Sequence, residues 1–524
     1  MRPFELRSPG SLCLVAMLVA GGCRSDGPWV ETDPDAFVAA GPGDPWTPAD
    51  ARARDESRVL AEDADESNPG RVGPLAAMET RTRPLPAGPG GGAGRDVSLL
   101  HLVEFALTNR PETRIAWERS RVAAAELGIA KGAWYPVLGL SADFYYNRVL
   151  FPATGQALQV EALNLLPQLG LNYVLFDFGR READDDAARA ALLAANLQAN
   201  RVLQSTVHDV QVTYFRLDAA LAAREAAERN VELAETVTEM VESQMLVGLA
   251  TAPDLYLARQ DLAQARFDLQ ATVAVIQTAR AALLDACGVP ATTPVSIARV
   301  RDDQLPAALA YRVEDVIDVS LVGRPDLAAA VADVRNAVAE EARAEAEFMP
   351  TVQVLGDVGY AWARFKTSVN DPPLQYPSDT DGIPVWNVGI GGTWTIFEGF
   401  IRENAVRAAR ARRREAEATL EKLRLQAIGE TWDAYFRVQA FRKQFDFGLA
   451  LVAQSEEAFA AVSASYRQGL STITELVQAE RDLQEARATF VTTRSDLLVA
   501  AADLSFAAGE EIGRYPNRAA VRAD

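Results

Sequence analysis

The sequence predicts a mainly α-helical chain with a membrane β-barrel portion, built as an internal two-fold repeat with four β-strands. Three observations predict it. First, Leu476, Leu483, Phe490, Leu497 and Leu504 recur every seven residues, each followed three places later by a small residue: Ala479, Ala486, Thr493, Ala500 and Ala507. Second, a shift of 221 positions reproduces both series, as Leu255, Leu262, Leu269, Ile276 and Leu283 with Ala258, Ala265, Thr272, Ala279 and Ala286. A heptad of one large and one small residue specifies a long helix packed closely along a narrow seam, and two copies specify a repeat. Third, each repeat carries two stretches that alternate apolar and mixed residues with period two, the mark of strands with one greasy face.

Composition narrows the function classes. The 524 residues carry a net charge of −20, with the charges spread along helices. Phosphate binding needs a basic surface, so a nucleic-acid partner is excluded. The two His, His101 and His208, have no further ligands near them in sequence, and the Cys are Cys13, Cys23 and Cys287. No metal-ligand spacing, nucleophile–base pair or phosphate-binding Gly loop stands out, so no cofactor or metal is expected and the chain reads as a non-enzyme. Cys287 ends an apolar helix before Gly288 and reads as a small buried hydrophobe. No apolar run of transmembrane-helix length follows the start of the chain.

Residues 1–22 read as a secretory leader: Arg2 and Arg7, an apolar stretch from Ser11 to Ala20, then Ala20-Gly21-Gly22 before Cys23. Small residues before Cys23 are similar to a bacterial lipoprotein signal, which would make Cys23 the lipidated end. Residues 23–96 form an acidic, Pro- and Gly-rich tether that cannot bury enough apolar surface to offset its ordering entropy. It is expected to be mostly disordered, with some of it running along the body's surface.

The first repeat spans 97–290. A short helix covers Val97 to Asn109. Pro111 starts a second, where its missing N–H costs nothing, and Tyr135-Pro136 ends it. A strand follows with Leu138, Leu140, Ala142, Phe144 and Tyr146 on one face and Asp143 on the other. A loop is expected over 149–165. A return strand over 167–176 places Leu169, Leu171, Tyr173 and Leu175 on one face. Helix is expected from 181 to 246, on the order of 100 Å long. Gly248 then turns the chain, and the heptad helix returns to Cys287, where Gly288-Val289-Pro290 stops it.

After a linker at 291–310, the second repeat, 311–511, follows the same script. Gly323-Arg324-Pro325-Asp326 matches Asn109-Arg110-Pro111-Glu112, and Met349-Pro350 matches Tyr135-Pro136, both at an offset of 214. Val352, Val354, Gly356, Val358 and Tyr360 form the outgoing strand, with Asp357 matching Asp143. Ile390, Trp394 and Ile396 belong to the return strand. Beyond it the offset is 221, and the extra length falls in an expected loop at about 363–385, where insertions cost little. A polar tail covers 512–524.

Strands of about ten residues with a greasy face suit a tilted membrane barrel. Lipid forbids open sheet edges, and four strands cannot close alone. Two chains would supply eight strands, too tight for a channel. Three supply twelve. The expected architecture is therefore a trimer with a 12-strand β-barrel and a 12-helix α-barrel. The competing possibility is a pair of soluble hairpins at the end of a coiled-coil rod.

Over residues 97–511 the chain resembles the TolC family of outer-membrane factors. The residues that carry the resemblance are the duplicated Arg-Pro-acid helix starts and the Pro136 and Pro350 strand entries. The exits Phe176-Asp177-Phe178-Gly179 and Phe397-Glu398-Gly399 match too, as do the Gly turns at Val247-Gly248-Leu249-Ala250 and Gln468-Gly469-Leu470-Ser471. The resemblance implies a homotrimeric duct through outer-membrane lipid and the periplasm, working with a periplasmic adaptor and, indirectly, an inner-membrane pump. The two Gly turns would be the tips on which the adaptor docks through Val-Gly-Leu-(Ala/Ser/Thr). Val247, Gly248, Leu249 and Ala250 match that motif fully, whereas Gln468, Gly469, Leu470 and Ser471 depart at the first position.

Family members narrow the tunnel mouth with acids at the second tip. Glu475 matches the first such acid, the second is replaced by Gln478, and Asp254 is the first-repeat candidate. Thr472-Ile473-Thr474-Glu475 is equally a helix-capping pattern, and Thr251 to Asp254 resembles one. Asp143 and Asp357 are candidates for the barrel lumen. Trp394, Tyr173, Tyr146 and Tyr360 could form an interfacial aromatic girdle. Three functions fit: the exit duct of a tripartite efflux system, the exit duct of a type I protein secretion system, and a soluble periplasmic coiled-coil adaptor or scaffold. The two greasy hairpins speak against the last, and the lipoprotein-like leader favours efflux by family analogy.

Overall fold

The computed structural model describes residues 37–47, 96–153, 156–301, 305–306, 309, 311–370 and 373–509. The leader, Cys23, most of the tether, parts of the linker and the tail lie outside them. In chain order the elements are α1 (Leu99–Asn109), α2 (Pro111–Gly132), β1 (Val137–Ala153), β2 (Gln156–Phe176), α3 (Arg180–Leu246) and α4 (Ala252–Ala286). The second repeat supplies α5 (Val313–Gly323), α6 (Pro325–Ala346), β3 (Thr351–Asn370), β4 (Pro373–Thr393), α7 (Ile401–Arg467) and α8 (Ile473–Ala508). Helices α3 and α7 have 67 residues each, or about 100 Å at 1.5 Å per residue.

The strands form one antiparallel sheet in the order β1-β2-β3-β4. The internal repeat is visible in its register. Leu140 faces Leu169, and their repeat-mates Val354 and Ile390 face each other. Across the join between repeats, Leu169 faces Val358. Because residues directly opposite share a face, Phe144, Leu165, Leu169, Val358, Trp386 and Ile390 make one continuous apolar surface. All of them are exposed in the single chain. Gly139, Gly170, Asp357, Asn387 and Gly391 lie on the other face.

Both hairpins reach further than the sequence suggested. The expected loops at 149–165 and 363–385 are strand except for two residues at each tip outside the described set. The polar residues that read as loop continue the ladder beyond the greasy band. On the apolar side that band ends at Tyr146 and Leu163, and the next pair is the ion pair Arg148–Glu161, with Arg148 exposed. The band from Leu138 to Tyr146 runs about 27 Å along the strand, which at the tilt of an outer-membrane barrel strand covers about 20 Å of an apolar belt. Past it the ladder continues through the Arg148–Glu161 pair towards the hairpin tip. Trp394 and Ile396 fall beyond the end of β4, which closes at Thr393, and Trp394 instead donates its indole N–H to the Phe348 carbonyl at 3.0 Å.

The helices form two stacked rows. Nearer the sheet, α2 packs on α3, α3 on α6 and α6 on α7. Away from it, α4 packs on α3, α3 on α8 and α8 on α7. The end helices of the sheet-proximal row, α2 and α7, connect to the edge strands β1 and β4. The main core lies midway, where α1 and the start of the linker cover α3 and α4 with Leu102, Phe105, Ala106, Val210, Leu283 and Ile297.

The junctions are duplicated down to single bonds. Each strand-to-helix turn uses two successive left-handed residues, Phe178 and Gly179 in the first repeat and Gly399 and Phe400 in the second, with φ of 55°, 94°, 69° and 66°. Arg110 reaches Glu112 and Asp209, at 3.1 and 2.8 Å; its mate Arg324 reaches Asp326 and Glu430, at 2.7 and 2.6 Å. Gly288 sits against Arg110 so closely that a Cβ would lie 2.9 Å from its Cα, and its mate Gly509 sits equally close to Arg324. Only glycine meets both the positive φ and the close approach.

Part of the tether is ordered. Phe37 and Val38 pack among Ala123, Ala124, Leu127 and Leu192 of α2 and α3. Asn200 holds the Trp46 backbone at both ends, accepting from its N–H at 2.7 Å and donating to its carbonyl at 2.8 Å. Trp117 donates to the Ala39 carbonyl at 2.9 Å.

Candidate functional site: the helical tips and the polar face of the sheet

The α3–α4 and α7–α8 hairpins end side by side. Each turn ends its long helix with the same hydrogen bonds. Leu249 N–H donates to the Gln244 carbonyl at 2.9 Å and Leu470 N–H to Ser465 at 3.0 Å, around Gly248 and Gly469 with φ of 78° and 73°. This is the Schellman arrangement, in which the left-handed residue after the helix lets the chain reverse. An added Cβ at either glycine would meet nothing within 4 Å. The glycines are thus required by backbone conformation, and space above them is open.

In such a turn the residue after the glycine commonly packs back on the helix. Here it does not. Leu249 is 68% exposed and Leu470 76%, beside Leu246 at 89% and Val247 at 70%. Ala250 and Ser471 are half-buried, and Gln468 is exposed. The tips thus present four unpaired aliphatic side chains at the extreme end of a charged rod. Below them both hairpins share one apolar cluster, with Val237, Val241, Leu255 and Ala258 of the first repeat against Tyr466, Ile473, Leu476 and Val477 of the second.

The candidate gate carboxylates are engaged in capping. Asp254 accepts from the Thr251 N–H and hydroxyl, both at 2.7 Å. Glu475 accepts from the Thr472 N–H at 2.8 Å, while its own N–H donates to the Thr472 hydroxyl at 3.3 Å. Gln478 donates to Asp482 at 2.7 Å. Glu475 and Gln478 remain exposed and Asp254 half-exposed, so capping fixes their orientation without removing them from solvent.

About two turns further in lies a charged cluster that sequence reasoning missed. Arg481 of α8 donates to Asp261 of α4 at 3.0 Å, joining the two hairpins. The adjacent Glu480 is fully buried, with Gln484 donating to one oxygen and the other unpartnered. Burial, and then the Asp261 carboxylate, push the Glu480 carboxyl up to about 8. No sequence signal identified it, because Glu480 sits in a helical heptad like any surface acid and only the folded packing buries it.

On the sheet, Asp143 and Asp357 share the polar face, as their alternation predicted. Asp143 pairs with Leu166 of β2, and Asp357 lies between Gly170 of β2 and Asn387 of β4, accepting from the Asn387 amide. They stand four residues apart along β2 and do not touch. Small neighbours on this face, Gly139, Gly170 and Gly391, leave it open. Tyr146 and Tyr360 lie on the apolar face, where Tyr360 stacks on Trp362 with ring centroids 5.5 Å apart. Among the described residues no cluster of metal-ligating side chains occurs, and no helix is long and apolar enough to cross a membrane.

Known proteins are similar to this chain. Protein CyaE of Bordetella pertussis is 27% identical over 425 residues, 80% of this chain and 85% of its own. Outer membrane protein OprJ of Pseudomonas aeruginosa is 25% identical over 423 residues, 79% of this chain and 84% of its own. The solved outer-membrane channel OprN superposes with a TM-score of 0.68 at 21% identity, covering 78% of this chain and 89% of OprN. At that identity the likeness establishes the fold. Residues 102–289 and 316–510, one block from each repeat, match the family described as outer membrane efflux protein. That match covers well over half of the sequence, so the chain belongs to the outer membrane efflux protein family, whose members are channels and not enzymes.

Proposed function

We propose that three copies of this chain close into a passive exit duct of a tripartite efflux system. It would span the outer membrane and extend into the periplasm, where an adaptor and, behind it, an inner-membrane pump deliver the cargo. The observation that carries this reading is the continuous apolar face of a four-stranded sheet with two open edges. A sheet cannot expose edges in lipid, and the ends of the sheet-proximal helical row follow the same edges. One closure therefore completes both layers. Twelve strands leave a lumen where eight would be filled by side chains, and the polar face with Asp143 and Asp357 would line it.

The exposed aliphatic tips support adaptor docking at Val247–Ala250 and Gln468–Ser471. Apolar side chains held out on a rigid turn suit a partner that buries them. A three-fold ring of Glu475 would favour cations at the tunnel mouth and would resist closing unless its charges were screened or protonated. Cys23 is the proposed lipid anchor. The ordered segment at 37–47 supports that assignment, since Phe37 lies against Lys131, near the α2 end that leads into the barrel.

Single-channel recording in a planar bilayer tests the reading. Purified protein should give stable conductance steps. A protein recovered only from the soluble periplasm, without conductance, would return the chain to the adaptor or scaffold class.

A further inference from the structure

We infer that the inner side of α3 carries two binding grooves for amphipathic organic cations, each an alanine-lined cleft with one carboxylate in its wall. The assignment rests on the three-copy duct proposed above, and it gives the wall of that duct a class of ligand.

Helix α3 runs through both helical rows, and its two sides are used differently. On one side Asn196 donates to the Phe37 carbonyl at 2.8 Å and Asn200 holds the Trp46 backbone. Val210, Tyr214 and Leu217 on the same side pack under α1 and the linker. With 3.6 residues per turn, these positions fall within a sector of about 100°, whereas Gln198, Arg201, Arg216, Ala219 and Ala223 fall within about 60° on the opposite side. In the closed duct the tether's side is outside, because the tether runs to the lipid anchor proposed at Cys23. The opposite side then faces the tunnel. Two clefts open on it. The first, of about 470 Å³, lies where α3, α6 and α7 meet, with Gln198, Arg201, Ala330, Ala416 and Asp333 in its lining. The second, of about 630 Å³, lies on α3 between α4 and α8, lined by Arg216, Ala219, Ala223, Ala279 and Asp496. Drug-sized molecules occupy pockets of about 300–1,000 Å³. Each cleft is formed within a single chain, so neither depends on a contact between copies for its walls.

The lining selects by charge as well as by size. Among the described residues, neither Asp333 nor Asp496 is held by a hydrogen bond or an ion pair. Burial raises both carboxyls above the ordinary carboxylate value, and only Asp496 has a cation, Arg216, near enough to offset part of the rise. Arg201, which shares the first cleft with Asp333, is laid over the Phe506 ring at 3.7 Å and donates to the Phe506 carbonyl at 3.2 Å. Arg412 and Glu415, also in the first cleft, are exposed and of opposite sign. A half-sheltered carboxylate short of counter-charge favours an arriving cation. The alanine methyls beside it take an apolar body out of water. An anionic amphiphile of the same shape would meet like charge in both grooves.

Single-channel recording on the full protein tests this with benzyltriethylammonium, which joins an aromatic ring to a fixed positive charge. It should interrupt the current. Tetraethylammonium, which lacks the ring, and benzenesulfonate, which reverses the charge, should need about fivefold higher concentration or more for the same block. Asp333→Asn with Asp496→Asn should raise the half-blocking concentration of benzyltriethylammonium by about fivefold or more. Ala416→Phe with Ala219→Phe, which fills both grooves and leaves their charge alone, should do the same. Equal block of the wild type and both variants overturns the inference. A loss confined to the Asn variant also overturns it, by assigning the effect to the general field of the tunnel. A loss confined to the Phe variant overturns it by assigning the effect to a narrower bore. Particles of three chains that conduct without any block overturn the grooves and leave the duct standing. A monomer without conductance overturns the duct, and the grooves' place in its wall with it.

Discussion

Arg181 donates its Nε to the Asp177 carboxylate at 2.7 Å, and the bond recurs 221 residues later between Arg402 and Glu398. Each guanidinium also covers a ring, Trp134 at 4.4 Å and Phe348 at 5.4 Å, which are themselves repeat-mates. The two nodes fasten each return strand to the helix below it, where the sheet passes into the helical rows. Both members of the first pair are at least nine-tenths buried. Removing one leaves the other as an uncompensated buried charge. Arg181→Ala should therefore cost about 3 kcal/mol, whereas an apolar replacement of both partners should cost much less. Chemical unfolding of the detergent-extracted protein checks this, and equal losses in single and double variants would contradict it.

Glu480 makes the tips sensitive to pH. Its carboxyl is raised from an ordinary 4.5 to about 8, by burial and then by Asp261. Between those values the folded chain holds a proton that the unfolded chain has released. Stability is therefore full below about 4.5, falls as pH rises, and levels off above about 8. Glu480→Gln should flatten this slope, raising the unfolding midpoint at pH 8 and leaving it unchanged at pH 4.5. Melting curves at the two pH values decide it, and an equal shift at both would assign the effect to packing alone.

The sequence carried the repeat, both offsets, the helix starts at Pro111 and Pro325, the tip glycines and the two faces of the strands. These follow from local periodicity and from backbone rules that act on a few residues. It did not carry the full length of the hairpins. Past Tyr146 and Tyr360 the strands leave the greasy band, and polar residues such as Arg148 and Glu161 look like loop until the partner strand is seen beside them. The segment around Val38 and Trp46 is hidden within the tether for a similar reason, since a few apolar residues in a Pro- and Gly-rich stretch find their cover only in the α2–α3 groove. The nodes Arg481–Asp261 and Asp218–Arg494 join residues more than 200 positions apart, and no periodicity announces them.

Turn and docking roles at the tips can be separated. Gly469→Asn keeps access to the left-handed conformation that Gly469 holds, whereas Gly469→Val should cost about 1–2 kcal/mol through its backbone alone. Leu249→Asp with Leu470→Asp alters side chains that are mostly exposed, so the melting temperature should stay within about 2 °C. Adaptor binding, measured by co-purification or surface plasmon resonance, should fall at least tenfold in the Asp variant. Unchanged binding would remove Leu249 and Leu470 from the docking surface.

Glu475→Gln keeps an oxygen for the Thr472 N–H, so the helix cap should survive. If the three carboxylates also ring the tunnel mouth, the variant should lose part of its cation preference in a bilayer, with reversal potentials moving toward zero under a salt gradient. An unchanged reversal potential would leave Glu475 as a cap only.

The central claim is that one sheet, open at β1 and β4, is completed by two further copies. The mass of the detergent-extracted protein, by light scattering corrected for bound detergent, tests it most directly. Three chains per particle from the outer-membrane fraction is the predicted result. A monomer or dimer in the soluble periplasm would contradict it.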